Sequence, residues 1–177
     1  MPDIPRYSAL ARWLHWLIAA LLAAIIPLGI WMVVFAPKDE AFKLRLYDLH
    51  QSLGFTVFLL VLLRLTRRLN RGAPPLPVGT PALIRRAAGI NHAALYAMLL
   101  IQPVMGVLDT TAWGFPLKYW GFVTIPTPIG HDETIAPLLS TLHRLGALTL
   151  MVLIAAHLLG AAYHIFIRRD GLLRRML

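Results

Sequence analysis

Seven histidines stand in this chain of 177 residues, and their placement is its clearest chemical signal. All but His131 fall inside or at the ends of long apolar stretches, where an imidazole is costly unless it faces a bundle interior and serves a site. His143 and His157 lie fourteen residues apart on the last such stretch. At a rise of about 1.5 Å and a turn of about 100° per residue, a helix separates them by ~21 Å along its axis and leaves them within ~40° of each other. One helix can therefore present one face to two stacked cofactors. Paired neutral imidazoles with no carboxylate between them suit the axial positions of a six-coordinate haem iron. A zinc or di-iron site calls for carboxylates or cysteines alongside, and none of the eight acidic residues is in mid-span. Cysteine is absent, which also excludes disulfides, iron–sulfur clusters and covalently attached c-type haem.

The elements that must position these imidazoles are helices in lipid. The chain is 58% hydrophobic and 14% charged, with a mean hydropathy of +0.67, whereas a soluble domain is about half apolar and about a quarter charged. Four spans of about 20 residues each, with their loops, use up this length. The sequence predicts an all-α integral membrane protein, a four-transmembrane-helix bundle forming a single domain over 1–177. The spans are placed at about 13–35, 47–65, 83–108 and 138–167. Ser8 is expected to cap a helix that begins a turn before the first span, with Arg12 snorkelling to the headgroups. Pro27 and Gly29 are expected to kink the outer half of that helix. Ala73 to Pro81, with Pro74, Pro75, Pro77 and Pro81, is too rich in proline for a helix and reads as an extended surface linker. The connection from Asp109 to about Pro137, with Trp113, Lys118 and Trp120, is expected to lie on the membrane interface and form a lid. No N-terminal signal peptide is expected, since the first apolar stretch is long enough to span and lacks a small-residue cleavage site.

The net charge of +9 is an orientation signal. Arg6, Arg12, Arg64, Arg67, Arg68, Arg71, Arg85, Arg86, Arg168, Arg169, Arg174 and Arg175 flank the spans on one side. Only Lys38, Lys43, Arg45, Lys118 and Arg144 fall on the other. The positive-inside rule then puts both termini and the proline-rich linker in the cytoplasm. Because the basic residues flank apolar spans, nucleic acid is not an expected partner.

Depth pairs the histidines. His50 opens the second span and His143 the fourth, both from outside, so their side chains can meet near the outer surface. His15 and His157 both lie in the inner half and can form a second pair. His164, seven residues beyond His157, falls on nearly the same face and ~10 Å closer to the cytoplasm. On depth alone His15 can equally pair with His164, leaving His157 for His92, and spacing leaves this open. One turn beyond each proposed ligand stands a small residue, Ala19, Gly54, Gly146 or Gly160, expected to clear room for a porphyrin. The competing reading is a haem-free bundle whose histidines make interhelical hydrogen bonds.

The run Arg12-Trp13-Leu14-His15-Trp16, His50 opening the second helix, and the Leu142-His143 and Ala156-His157 segments of the fourth resemble the bacterial di-haem cytochrome b561 family over nearly the whole chain. The resemblance implies two haem b groups, with His15 and His157 as axial ligands of the inner iron and His50 and His143 of the outer. It also implies a multi-pass protein of the bacterial inner membrane that acts as a superoxide oxidase, taking electrons from superoxide at the periplasmic face and passing them to ubiquinone. Other members of that family are haem b electron-transfer subunits serving a partner dehydrogenase or another periplasmic redox protein, so family membership leaves the donor open. Lys118 and Arg144, with Arg45, are expected to form a positive mouth over the outer haem that draws in small anions; propionate pairing and headgroup contacts are the competing uses. Quinone reduction at the inner end needs proton donors, for which His164 is the first candidate and His92 the second. Tyr96 and Tyr163 read as interface packing. His131, beside Asp132 and Glu133, reads as a solvated loop residue.

Overall fold

The computed structural model describes residues 6–35, 37–75 and 79–177. Helix α1 (Ala9–Phe35) begins where the Ser8 hydroxyl accepts the Ala11 N–H at 3.4 Å, the expected cap. Helix α2 (Glu40–Arg71) is capped by Asp39, whose carboxylate accepts the Phe42 N–H at 2.6 Å. Glu40 in its first turn and Arg68 and Arg71 in its last complement the helix dipole. Gly72 ends it at φ 69, its N–H on the Arg68 carbonyl, a left-handed position that glycine adopts without strain. Helix α3 (Ala82–Ala112) follows Pro81 and contains Pro103. Helix α4 (Ala136–Ala162) has proline in its first turn and continues as a π-helical segment, α5 (Tyr163–Arg168). Arg169 at φ 52 and Gly171 at φ 73 stop it, and a 3-10 turn, α6 (Leu172–Arg175), follows.

The helices outrun the predicted spans. With 32 residues, α2 is about 48 Å long at about 1.5 Å per residue, against a hydrocarbon layer of about 30 Å. Hydropathy marks only the lipid-solvated middle, while capping and backbone hydrogen bonding carry the helix on into the headgroups. Lys43 and Arg45, expected in an outer loop, therefore lie in the first turns of α2.

The connection after α3 carries a hairpin, β1 (Lys118–Tyr119) and β2 (Val123–Thr124), antiparallel with Lys118 opposite Thr124. Strands of two residues are too short for alternation to register in a sequence. The hairpin is docked on α2: the Tyr119 hydroxyl is 3.0 Å from Thr56 Oγ1, the Trp120 N–H donates to Ser52 Oγ at 3.0 Å, and the Tyr119 ring packs on Phe55. Leu117 beneath it is fully buried.

Helix α1 packs on α2, α2 on α3 and α3 along α4, whereas contacts of α4 with α1 and α2 are sparse. Ile18, Val57 and Val61 form a small core with Tyr96, Leu99 and Leu100 around it. Most apolar surface points outward, with Leu83 79% and Leu159 71% exposed. All four long helices are long and apolar enough to cross a membrane, which makes lipid the solvent for that surface. The start of α1 and Tyr7 before it meet the C-terminal segment at one end of the bundle. Tyr7 N–H donates to the Arg175 carbonyl at 3.2 Å, Trp16 Nε1 to that of Met176 at 2.7 Å, and Arg12 to that of Leu177. Arg12, expected to snorkel, is thus committed to the C-terminal segment. The linker lies at the same end, held by Arg168 on the Gly79 carbonyl at 3.2 Å and by Arg175 on that of Pro75; Pro77 lies outside the described residues.

Candidate functional site

Two pairs of imidazoles face each other between helices. His15 of α1 and His157 of α4 have ring centres 6.1 Å apart with planes at 71°. His50 of α2 and His143 of α4 have ring centres 6.4 Å apart with planes at 82°. In both pairs α4 meets a helix with which its contacts are sparse, so the rings bridge a gap between helices. A metal–imidazole bond of about 2 Å on each side, with about 1 Å more from each nitrogen to its ring centre, would place two imidazoles sharing one metal about 6 Å apart. Both observed separations match that spacing. Among the described residues no group of three or more His, Cys, Asp or Glu side chains gathers to hold a metal, so each pair is a two-ligand donor set of the kind a haem iron takes. The buried Nδ1 of His50 has no hydrogen-bond partner, at a cost of about 1–3 kcal/mol that a ligand to the ring would offset. The donor sets fit b-type haem.

The His50–His143 pair is framed by residues the sequence did not single out for it. A Cβ on Gly29 would stand 2.9 Å from His50 Cε1, and one on Gly106 would stand 2.9 Å from His143 Cε1. Each ring therefore rests on bare backbone of the neighbouring helix. Gln102 of α3 is buried. Its amide nitrogen donates to the His143 carbonyl at 2.7 Å and lies 3.2 Å from Nδ1, which leaves Nε2 as that ring's other nitrogen. Of the small residues expected to clear room one turn beyond each ligand, Ala19, Gly54, Gly146 and Gly160, Gly146 is filled by Gln102, whose Oε1 would sit 2.1 Å from an added Cβ; Gly54 faces Ile25; Gly160 has open space, with nothing within 4 Å. The bare backbone against the His50 and His143 rings comes from across the interface, at glycines two or three residues past Pro27 and Pro103.

The remaining candidates are distributed as follows. His92 of α3 lies with its ring centre 5.3 Å from that of His157, so His157 stands between His15 and His92. His164 is buried and turned to Asp170, Nδ1 to Oδ2 at 2.6 Å, with Arg168 Nε on the same oxygen at 3.1 Å and the Leu172 N–H on Oδ1 at 3.2 Å. Burial alone would raise the Asp170 carboxyl; the hydrogen bonds from His164, Leu172 and Arg168 outweigh it and hold it below the usual carboxylate range. An ionised carboxylate can only accept, so the proton between them sits on Nδ1. Lys118 on β1 and Arg144 on α4 are exposed, and among the described residues neither side chain is tied by a hydrogen bond or ion pair. His131 is exposed and lies 3.5 Å from Glu133. Tyr163 packs edge-on against His164.

The model of the prokaryotic cytochrome b561 family matches residues 6–177. The chain is 32% identical over 173 residues to cytochrome b561 homolog 2 of Escherichia coli K12, covering 97% of this chain and 91% of that one. It is 26% identical over 172 residues to the probable superoxide oxidase CybB of Yersinia pestis, covering 97% and 96%. It is 28% identical over 191 residues to cytochrome b562 of Cereibacter sphaeroides, covering 100% and 98%. With its four membrane-crossing helices and imidazole pairs, the chain belongs to the prokaryotic cytochrome b561 family, multi-pass electron-transfer proteins of the bacterial inner membrane that carry b-type haem.

Proposed function

We propose that this chain is a superoxide:ubiquinone oxidoreductase working through two b haems, the inner held by His15 and His157 and the outer by His50 and His143. The observation that carries it is the pair of imidazole couples at 6.1 and 6.4 Å. The relative named as a probable superoxide oxidase supports the choice of donor. Both termini lie in the cytoplasm by the excess of arginine at that end. Bound in the two sites, the haems supply one-electron carriers in series across the bilayer. In the overall balance two superoxide anions become dioxygen, and ubiquinone takes up their two electrons with two cytoplasmic protons.

The chain's own residues set the two ends. Lys118 and Arg144 attract the anion at the periplasmic face. At the cytoplasmic end His164 donates Nδ1–H to Asp170, which fixes the ring and stabilises the imidazolium formed when Nε2 takes up a cytoplasmic proton and then passes it to the quinone; His92, beside His157, is the second donor. A purified preparation mixed rapidly with superoxide should develop reduced haem b bands and form ubiquinol, and superoxide dismutase should abolish both. Haems that superoxide leaves oxidised would refute the donor. In the Lys118→Glu, Arg144→Glu double variant the reduction rate should fall about tenfold or more at low salt, and the difference should shrink as salt is added.

Asp170→Asn should slow quinone reduction about tenfold or more while leaving haem content unchanged, measured as ubiquinol formed by dithionite-reduced protein. The Asp170 carboxyl is held below its ordinary range, so the stability it contributes is present above the unfolded pKa of about 3.9 and lost as pH falls through the lower folded value. The difference in melting temperature between the native chain and Asp170→Asn should therefore be present in full at about pH 5 and shrink as pH falls below about 3.9.

A second reading, an electron-transfer subunit for a partner dehydrogenase or other periplasmic redox protein, draws on the lid hairpin, where Phe122 is 90% exposed. A redox protein that co-purifies and reduces the haems faster than superoxide does would favour it.

A further inference from the structure

At the end of the bundle where the start of α1 meets the C-terminal segment, a cavity of about 330 Å³ opens between α1, α2 and the start of the linker, and the Arg6, Arg64, Arg67, Arg68 and Arg71 side chains line it. Four of these stand at i, i+3, i+4 and i+7 on one face of α2, where like charges repel. None of the lining residues is acidic, and among the described residues no carboxylate lies within ion-pair distance of any of the five. Arg64 is partly committed, donating to the Ala11 carbonyl at 2.5 Å. Arg67 is not: its Nε is buried without a partner. A buried guanidinium donor left unpaired, in a cluster whose charges repel, is stabilised by an anion with several acceptor oxygens.

The surroundings narrow the anion. The floor is apolar, made by Leu14, Ala11 and Tyr96, and the rim is formed by Arg71 and Gly72 at the headgroup end of α2. At about 30 Å³ per water the cavity holds about ten heavy atoms, the size of a glycerophosphate group. Basic pockets between membrane helices at this level take anionic lipid headgroups. We infer that this cavity binds the phosphate of an anionic phospholipid of the phosphatidylglycerol or cardiolipin class, with Arg67 and Arg71 as its principal ligands. The cavity adjoins the His15–His157 pair, since Leu14, which precedes His15, lines it, and its occupant is independent of the electron donor.

The test uses the haem-loaded full chain, purified in a neutral detergent and stripped of lipid. Phosphatidylglycerol, cardiolipin, phosphatidylcholine or inorganic phosphate is added singly, and bound lipid is read by native mass spectrometry alongside the melting temperature. The anionic lipids should be retained and raise the melting temperature by several degrees, while phosphatidylcholine and inorganic phosphate should do neither. Arg67→Gln, Arg71→Gln should retain at least tenfold less anionic lipid with an unaltered haem spectrum. Arg71→Gln alone, at the exposed rim, should lose part of the retention if the double variant fails to fold. Equal retention in the variants, or an equal shift from inorganic phosphate, would overturn the inference. So would a changed haem potential with lipid retention intact, which would give these arginines to the haem carboxylates.

Discussion

A His143→Ala chain is expected to retain one haem and lose the other. His143 and His50 face each other at 6.4 Å, and removal of either leaves the outer iron a single imidazole. The inner pair stands ~21 Å away along α4, beyond the range at which substitutions ordinarily couple. The haem-to-protein ratio and the reduced-minus-oxidised amplitude should both fall by about half, with one component of the redox titration missing. His50→Ala should remove the same component, and His15→Ala and His157→Ala the other. His164→Ala should keep both, because its ring is committed to Asp170 at 2.6 Å. Loss of a haem from His164→Ala and not from His157→Ala would overturn the inner assignment.

Nearly as large an effect is expected where no ligand is touched. In a Gly106→Leu chain the new Cβ would begin 2.9 Å from His143 Cε1, closer than carbon atoms pack, and the rest of the side chain would lie in the ring's place. Overpacking of this kind costs about 1–3 kcal/mol, or about 5- to 150-fold in affinity for whatever the ring holds. The outer haem should be lost on gel filtration while the inner one stays. Gly29→Leu should act in the same way through His50, which an added Cβ would also approach to 2.9 Å. Gly160→Ala is the control, since nothing lies within 4 Å of that position and both haems should remain. Haem content after chromatography, with a redox titration of what remains, decides between them.

These glycines mark the boundary of what the sequence made legible. Hydropathy located the four spans, because apolar length is what lipid demands, and the depths of His15, His50, His143 and His157 already suggested who faces whom. The family resemblance was needed to set His157 against His164, since seven residues apart they fall on one face of the fourth predicted span. Hydropathy did not locate the helix ends, for caps such as Asp39 act locally and carry α2 well past its apolar middle. Nor did it find Gly29, Gly106 and Gln102 as supports of the outer pair, because their roles arise across helix interfaces, and register between helices is absent from any one helix's periodicity. Pro27 and Pro103 stand two and three residues before those glycines, and in the sequence Pro27 with Gly29 reads only as a kink. His164 and Asp170 are six residues apart, and only the π-helical segment and the left-handed turn at Arg169 bring them to hydrogen-bonding distance. Arg168 reaches the linker at Gly79, a contact between segments far apart in the chain.

The outer mouth is the least constrained part of the site. Lys118 and Arg144 are exposed, and the anion-steering role proposed for them is to be read in salt dependence. The inner end is held more firmly, with Asp170 gripping His164 while Arg168 and Arg175 fasten the linker to the same corner.

The most direct measurement is the iron and haem content of the purified native chain, combined with electron paramagnetic resonance of its oxidised form. Two haems b per chain, both low-spin with bis-imidazole character, are the expected result. One haem per chain, or a high-spin ferric centre at either site, would contradict a chain built around two facing pairs of histidines.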